Sequence, residues 1–269
     1  MSESVLMPDA NKDPRKMPGH WILAKLGKKV LRPGGREMTQ VMLGGLNIGF
    51  DDHVVEFAPG MGFTARLCLQ HNPKQYIAIE QNEQAAAIVR DYLSPPTQTC
   101  LVGNAQETGL AHHSATVVYG EAMLTMQSEA KKKAIVDEAA RVLKAKGRYG
   151  IHELCIVPDN IDEALKREIQ KAIAQAIQAP AKPITAAEWK ACLAQSGFET
   201  TLEHVAPMHL LEPKRIIEDE GFAGALKFAL NVARYPQERA RVLAMRKVFN
   251  RYQANLAAIT LVAEKKDEM

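Results

Sequence analysis

The 269-residue chain is poor in the residues that would mark several common protein classes. Its four cysteines, Cys68, Cys100, Cys155 and Cys192, are scattered, with no Cys-x-x-Cys pair and no metal-ligand spacing. That excludes a disulfide scaffold or a structural zinc module and fits reduced, mostly buried thiols of a cytoplasmic protein. No apolar run approaches the length of a bilayer span, so no membrane partner is expected. Residues 1–18 are polar and lack the apolar core of a secretion signal. Neither sign of charge dominates: 34 basic side chains face 31 acidic ones, a net +3 that does not by itself imply nucleic acid. Internal repeats and low-complexity tracts are absent. The pair His112-His113 has no nearby ligand partner, and no metal is expected.

What is present begins at His53. His53-Val54-Val55-Glu56-Phe57 has the apolar, β-branched character of a short buried strand. Ala58-Pro59-Gly60-Met61-Gly62 follows as a tight turn, and Phe63-Thr64 opens a helix. Glycines at 60 and 62 let a ligand lie against the backbone, and the free N–H groups of the helix start point into the turn. This strand, glycine loop and helix is the layout of nucleotide-type cofactor sites, though such a turn also serves any α/β domain.

The downstream pattern narrows the choice. Gln75–Glu80 reads as a second strand ending in an acid, Glu80, 18 residues beyond Gly62 and suited to a ribose diol. Asn82 caps a helix that Ser94-Pro95-Pro96 stops. Residues 97–102 form a third strand, leading into Gly103-Asn104-Ala105. Residues 115–120 form a fourth, with Glu121 just past it. Residues 129–143 form an amphipathic helix with Lys131, Lys132 and Lys133 outward. A turn over Lys144-Ala145-Lys146-Gly147 leads to a fifth strand, 148–155, with His152-Glu153 in its outgoing half. Strands and helices alternate, which predicts a parallel sheet covered on both faces. Beyond it come a helix over 159–178, a capping box at Thr185 and Glu188, a sixth strand at 198–205, helices over 207–253 and a last strand at 256–263.

These motifs, in this order, resemble the class I S-adenosylmethionine-dependent methyltransferases. The likeness covers roughly Val54 to Val205 and the final strand. Glu56-Phe57-Ala58-Pro59-Gly60-Met61-Gly62 looks like the family's acidic glycine motif, with Ala58 in place of its first glycine. Glu80 looks like the ribose acid. Asn104-Ala105 looks like the acid-Ala pair beside adenine, with Asn for Asp. Residues 142–148 look like the turn into the fifth strand.

The resemblance implies a Rossmann-like, seven-stranded, mostly parallel α/β sheet with an antiparallel last strand, an N-terminal helical arm and a helical insertion between strands six and seven. It divides the chain into an arm with lid helices (1–48), a cofactor-binding core (49–206), a helical insertion or lid (207–254) and a last strand with tail (255–269). It implies S-adenosylmethionine as cofactor and S-adenosylhomocysteine as product. Glu56, Phe57, Ala58, Gly60, Gly62, Thr64, Glu80, Gln81, Asn104, Ala105 and Glu121 are the expected cofactor residues. An acid before the glycines suits the donor's amine and would be idle beside a pyrophosphate.

Methyl transfer by in-line displacement needs mainly proximity, alignment and exclusion of water. Where a base is needed, Glu121, His152 and Glu153 near the strand tips, and His20 from the arm, are the candidates. The basic arm residues Lys25, Lys28, Lys29 and Arg32 read either as part of a lid or as a solvated face. Apolar residues of 207–253, among them Met208, Leu210, Leu211, Phe222, Leu226, Phe228 and Leu230, would roof a small organic acceptor, close a helical subdomain or form a homodimer interface. The basic residues of the same segment leave an RNA or protein methyltransferase as the second reading, although no RNA-binding module or Asn-Pro-Pro-Tyr-type motif is present. A non-catalytic cofactor-binding protein is the third.

Overall fold

The computed structural model describes residue 8 and residues 13–267. Much of the loose arm expected over residues 1–16 therefore lies outside the described residues. The remainder of the arm forms helix α1 (Gly19–Lys25), which ends just before Gly27 takes a positive φ of 99°. Helix α2 (Gly35–Leu46) follows and packs on the sheet through Met42, Leu43 and Leu46.

The core alternates as its sequence pattern predicts. It runs through β1 (His53–Phe57), α3 (Phe63–Leu69), β2 (Gln75–Glu80), α4 (Glu83–Arg90), β3 (Gln98–Val102), β4 (Ala115–Glu121), α5 (Glu129–Val142) and β5 (Leu143–Ile156). Helix α6 (Glu163–Ile177), β6 (Ile184–Thr185), α7 (Ala186–Ala194), β7 (Phe198–Pro207), α8 (Pro213–Arg234), α9 (Pro236–Arg251) and β8 (Leu256–Lys265) complete it. The sheet order is β3-β2-β1-β4-β5-β8-β7. The first five strands pair in parallel, and β8 runs antiparallel between β5 and β7. An eighth strand, the two-residue β6, adds to the seven expected: it pairs with the end of β5 immediately before the capping box that starts α7.

Local chemistry sets the element ends. The Asn82 side chain accepts from the Ala85 N–H at 3.0 Å to open α4, and Asp162 does the same for α6 with Leu165 at 2.9 Å. Thr185 and Glu188 close the capping box reciprocally at 3.3 and 2.8 Å.

Two local expectations change. The turn over 144–147 is a bulge within β5: Ala115 pairs with Leu143, and Val117 with Arg148, while Lys146 takes φ 58°. Lys132 is not outward but buried. Its ammonium donates to the Lys182 carbonyl at 2.5 Å and lies 5.1 Å from the Trp189 ring centre, so the inward turn leaves its charge partnered.

The arm's basic residues do not form one solvated face either. Lys28 is fully buried, with its ammonium 3.2 Å from Asp219 and 3.6 Å from Glu220. Asp219 also accepts from the Arg36 N–H at 2.9 Å, and Glu220 from the N–H groups of Lys29 and Val30 at 2.8 and 2.9 Å. These two acids stand just before Gly221, whose φ of 72° and ψ of 168° kink α8. They fasten residues 28–36 to the helical insertion.

Removing one partner of a buried pair leaves the other charge uncompensated. Asp219→Ala should therefore lower unfolding stability by roughly 3 kcal/mol in urea titration, whereas Glu218→Ala, on the surface one residue earlier, should stay within about 0.5 kcal/mol. Equal effects of the two substitutions would contradict the anchoring role.

Candidate functional site

The carboxyl ends of β1, β2 and β4 open into a cleft of about 1140 Å³, counted out to its mouth. The loop after β1 forms its floor. Ala58 adopts φ 52° there and Gly60 φ 56°. The left-handed region costs a non-glycine residue roughly 1–2 kcal/mol, so the alanine is held under strain where the related pattern carries glycine. A Cβ added to Gly60 would meet nothing within 4 Å, so the space over that residue belongs to the cleft. Gly62 is glycine for another reason. Its φ is 71°, and a Cβ would fall 1.9 Å from the Tyr92 hydroxyl, which itself donates to the Gly62 carbonyl at 3.1 Å.

Glu80 stands at the tip of β2 on the cleft wall. Its two oxygens accept from the N–H groups of Gly60 and Asn82, both at 2.9 Å. An ionised carboxylate offers about four acceptor positions, so two remain for a ligand. Gln81 lines the same wall, as do Ala58, Gly60 and Thr64. Phe57 is buried in the core behind the loop. Asn104 and Ala105 are not on the cleft wall: Ala105 packs in the core, and the Asn104 side chain accepts from the Gln106 N–H at 3.0 Å.

Glu56 lies at the bottom of the cleft, buried. One of its oxygens accepts from the Tyr119 hydroxyl at 2.6 Å and from the Tyr76 hydroxyl. Burial pushes its pKa up to about 7, although the two phenols pull it down. Glu121 behaves oppositely. Burial pushes it up, but Arg32, then His152 and Thr64, prevail and hold it at about 2.

Around Glu121 four other elements converge. Its Oε1 accepts from Thr39 of α2 at 2.7 Å, lies 2.7 Å from Nδ1 of His152 on β5, and is 3.3 Å from Arg32 Nε. Its Oε2 accepts from Thr64 of α3. Arg32 Nε also donates to Thr39 at 2.6 Å, and its guanidinium stands 4.8 Å from the Phe63 ring centre. The other nitrogen of His152 is 2.5 Å from the Pro33 carbonyl. Both ring nitrogens thus face acceptors, and both contacts are hydrogen bonds only when the ring carries both protons. Arg32 Nη2 is buried without a hydrogen-bond partner. Arg32 as a residue also lines the cleft.

Beside the cleft lies a second space of about 640 Å³, counted out to open solvent. Its walls are almost wholly apolar: Leu23 of α1, Leu154, Ile173 and Ile177 of α6, Met208, Leu210, and Met245 and Phe249 of α9. His20, Leu31, Ala122 and Met126 line both spaces. Of the four residues considered for proton transfer, His20 is at this neck, Glu121 and His152 are taken up in the buried network, and Glu153 is buried, accepting from the N–H groups of Met123, Leu124 and Thr125.

Sequence reasoning left Arg32 without a defined task and overlooked Thr39 entirely. The basic run in the arm was a signal for the first. For Thr39, 82 residues from its partner Glu121, the chain carries none.

Glu56 supplies a pH test. Below its ordinary 4.5 the carboxyl is protonated in both folded and unfolded chains. As pH rises towards 7 the unfolded chain ionises first, so the wild type loses stability. Glu56→Gln should match wild type at pH 4.5 and exceed it by on the order of 2–3 kcal/mol at pH 8 in urea unfolding. A difference independent of pH would mean that Glu56 ionises freely in the fold.

A family profile described as "Methyltransferase domain" matches residues 55–151, from β1 through the middle of β5. An uncharacterized protein of Haemophilus influenzae (strain Rd) is 33% identical over 252 residues, covering 92% of this chain and 98% of its own. Among solved structures, the Mycobacterium tuberculosis cyclopropane synthase MmaA2 superposes with a TM-score of 0.70 at 14% identity, over 97% of this chain and 99% of its own. The Haemonchus contortus phosphoethanolamine N-methyltransferase 2, solved with S-adenosyl-L-methionine, gives 0.66 at 17% identity over 93% of this chain and 57% of its own. The [4+2]-cyclase SpnF gives 0.68 at 15%, over 92% and 93%. The profile match spans the glycine loop, Glu80 and β4, so residues 55–151 form a methyltransferase domain, and the sheet has the strand order of the class I S-adenosylmethionine-dependent methyltransferase fold.

Proposed function

We propose that the chain transfers the methyl group of S-adenosylmethionine to a small apolar organic acceptor by in-line displacement. The observation that carries this reading is the apolar pocket that shares His20, Leu31, Ala122 and Met126 with the cofactor cleft. A cleft for the donor and an apolar chamber for the acceptor meet at one neck, the arrangement that proximity catalysis requires.

The residues of the cleft fit the donor. Glu80 takes the ribose diol, and the open side of Gly60 accommodates close approach of the ligand. Glu56, carrying a proton near neutral pH when alone, faces the ammonium of the methionine end, which favours its ionised form. Arg32, whose Nη2 has no hydrogen-bond partner, is a cation for the methionine carboxylate. When bound, S-adenosylmethionine supplies an electrophilic methyl group on a cationic sulfur.

The protein's share is orientation and exclusion of water. Glu121 and His152 act as positioning residues: a carboxylate held at about 2 is a poor proton acceptor at neutral pH, and it keeps Arg32, Thr39 and Thr64 in place. His20 is the titratable side chain at the neck and the one placed to receive a proton from an acceptor that must lose one. The arm over residues 19–34 and helices α8 and α9 serve as the roof.

The test is label transfer from methyl-tritiated S-adenosylmethionine to a panel of apolar phenols, thiols, amines and carboxylic acids. Wild type should yield an organic-extractable methylated product. Ile173→Trp, which fills the far wall of the chamber, should lower kcat/KM by about tenfold or more while leaving S-adenosylhomocysteine affinity unchanged. Transfer confined to RNA, protein or highly charged acceptors, and indifferent to Ile173→Trp, would overturn the reading.

A further inference from the structure

Helices α8 and α9 carry an outer surface that the reaction does not use. Beyond the kink at Gly221, α8 presents Phe222, Leu226 and Leu230 at four-residue spacing, 76%, 52% and 62% exposed. Residues so spaced stack on one helix face, and the next position in the row is the exposed Arg234. On α9, Leu243 is 55% exposed and stands four residues from Arg239 on one side and Lys247 on the other, both exposed. Phe222, Leu226 and Leu243 line one surface groove of about 1020 Å³, so the two rows border each other. The surface is an apolar strip with cationic side chains beyond its ends.

The charges of this segment are unevenly matched. Its five carboxylates are all in ion pairs: Glu212 with Arg246, Glu218 with Lys214 and Arg215, Asp219 and Glu220 with Lys28, and Glu238 with Lys25. Arg234, Arg239, Lys247 and also Lys227 form no ion pair among the described residues. The strip therefore offers spare positive charge and no spare negative charge.

We propose that this strip docks the protein on an anionic lipid bilayer, with the apolar side chains entering the acyl boundary and the cations meeting phosphate head groups. An apolar face flanked by Lys and Arg is the pattern of helices that lie in a membrane interface. It is a peripheral contact and needs no span; no described helix is long and apolar enough to cross a membrane. A second copy of the chain suits the strip less well. A two-fold contact over it would bring unpaired cations towards their own copies with no free carboxylate on either helix to meet them. A nucleic acid would use the cations but leave the exposed leucines and Phe222 without a role. The opposite face of α9 carries Met245 and Phe249 into the apolar chamber, so the docking surface is the outside of that chamber's roof. The docking claim does not rest on the acceptor reading.

Sedimentation of the full chain with lipid vesicles tests it. Vesicles of neutral phosphatidylcholine are compared with vesicles containing about 30% phosphatidylglycerol, at about 0.1 M and about 0.5 M salt. The expected result is binding to the anionic vesicles. It should fall about tenfold or more for Leu226→Glu/Leu230→Glu, for Arg234→Glu/Arg239→Glu and at high salt. Because these side chains are exposed, both double variants should keep wild-type circular dichroism and S-adenosylhomocysteine affinity, which separates failure of docking from failure of the cofactor site. Four outcomes would overturn the proposal: no pelleting with either vesicle, equal pelleting with both, a dimer in light scattering that Leu226→Glu/Leu230→Glu disperses, or salt-sensitive RNA binding that the same leucine variant leaves unchanged.

Discussion

The site depends on one buried carboxylate. Glu121, at the tip of β4, collects the hydroxyls of Thr39 and Thr64, the ring of His152 and the guanidinium of Arg32. Those partners come from α2, α3, β5 and the arm, so a single side chain ties four separately folded pieces to the rim of the cofactor cleft. Burying such a charge is costly unless its partners are complete. Here the partners outweigh the burial, and the group stays ionised to about pH 2. The surplus donor of the cluster, Arg32 Nη2, remains buried and unsatisfied. Arg32 and the raised Glu56 both line the cleft and have opposite preferences, one for a carboxylate and one for an ammonium. That is the polarity of a free amino acid end.

A second buried ion cluster extends this arrangement outward. Lys28 with Asp219 and Glu220 fixes the arm to α8 at the Gly221 kink, and Lys25 pairs with Glu238 at 2.8 Å at the start of α9. Residues 25–36 thus run from the helical insertion to Glu121, passing over the neck where Leu31 separates cleft from chamber. Strain gathers at the same place. Ala58 and Ala122, one on each side of the cleft, both hold positive φ, at 52° and 51°. Ala122 is retained there by its N–H bond to the His152 carbonyl at 2.7 Å, next to the His152–Glu121 contact itself.

Much of this was legible in the sequence because it rests on local chemistry. The β-branched run at Val54-Val55, the caps at Asn82 and Thr185 and the acid ending β2 each announce themselves within a few residues. The parallel character of the sheet followed from the alternation of strands and helices. Partners distant along the chain were not legible. Thr39 and Glu121 meet across 82 residues, and Lys28 and Asp219 across 191, by virtue of a packing that no local pattern encodes. Residue type could also mislead about cause. Gly62 reads as room for a ligand, yet the atom it makes room for is the Tyr92 hydroxyl. Lys132 reads as a solvent-facing lysine and instead caps a carbonyl under Trp189. Asn104-Ala105 matches a family motif, while Ala105 packs in the core and the Asn104 side chain accepts from the Gln106 N–H.

The central claim is that Glu121 organises the cofactor cleft without taking part in proton transfer. Calorimetric titration of S-adenosylhomocysteine into wild type and Glu121→Gln tests it most directly, with circular dichroism to confirm that both are folded. Removing the charge leaves Arg32 uncompensated, and truncating one member of a buried hydrogen-bonded pair costs 2 kcal/mol or more, about 30-fold in affinity. The account predicts a loss of at least that size in a folded variant. Undiminished affinity in folded Glu121→Gln would contradict it.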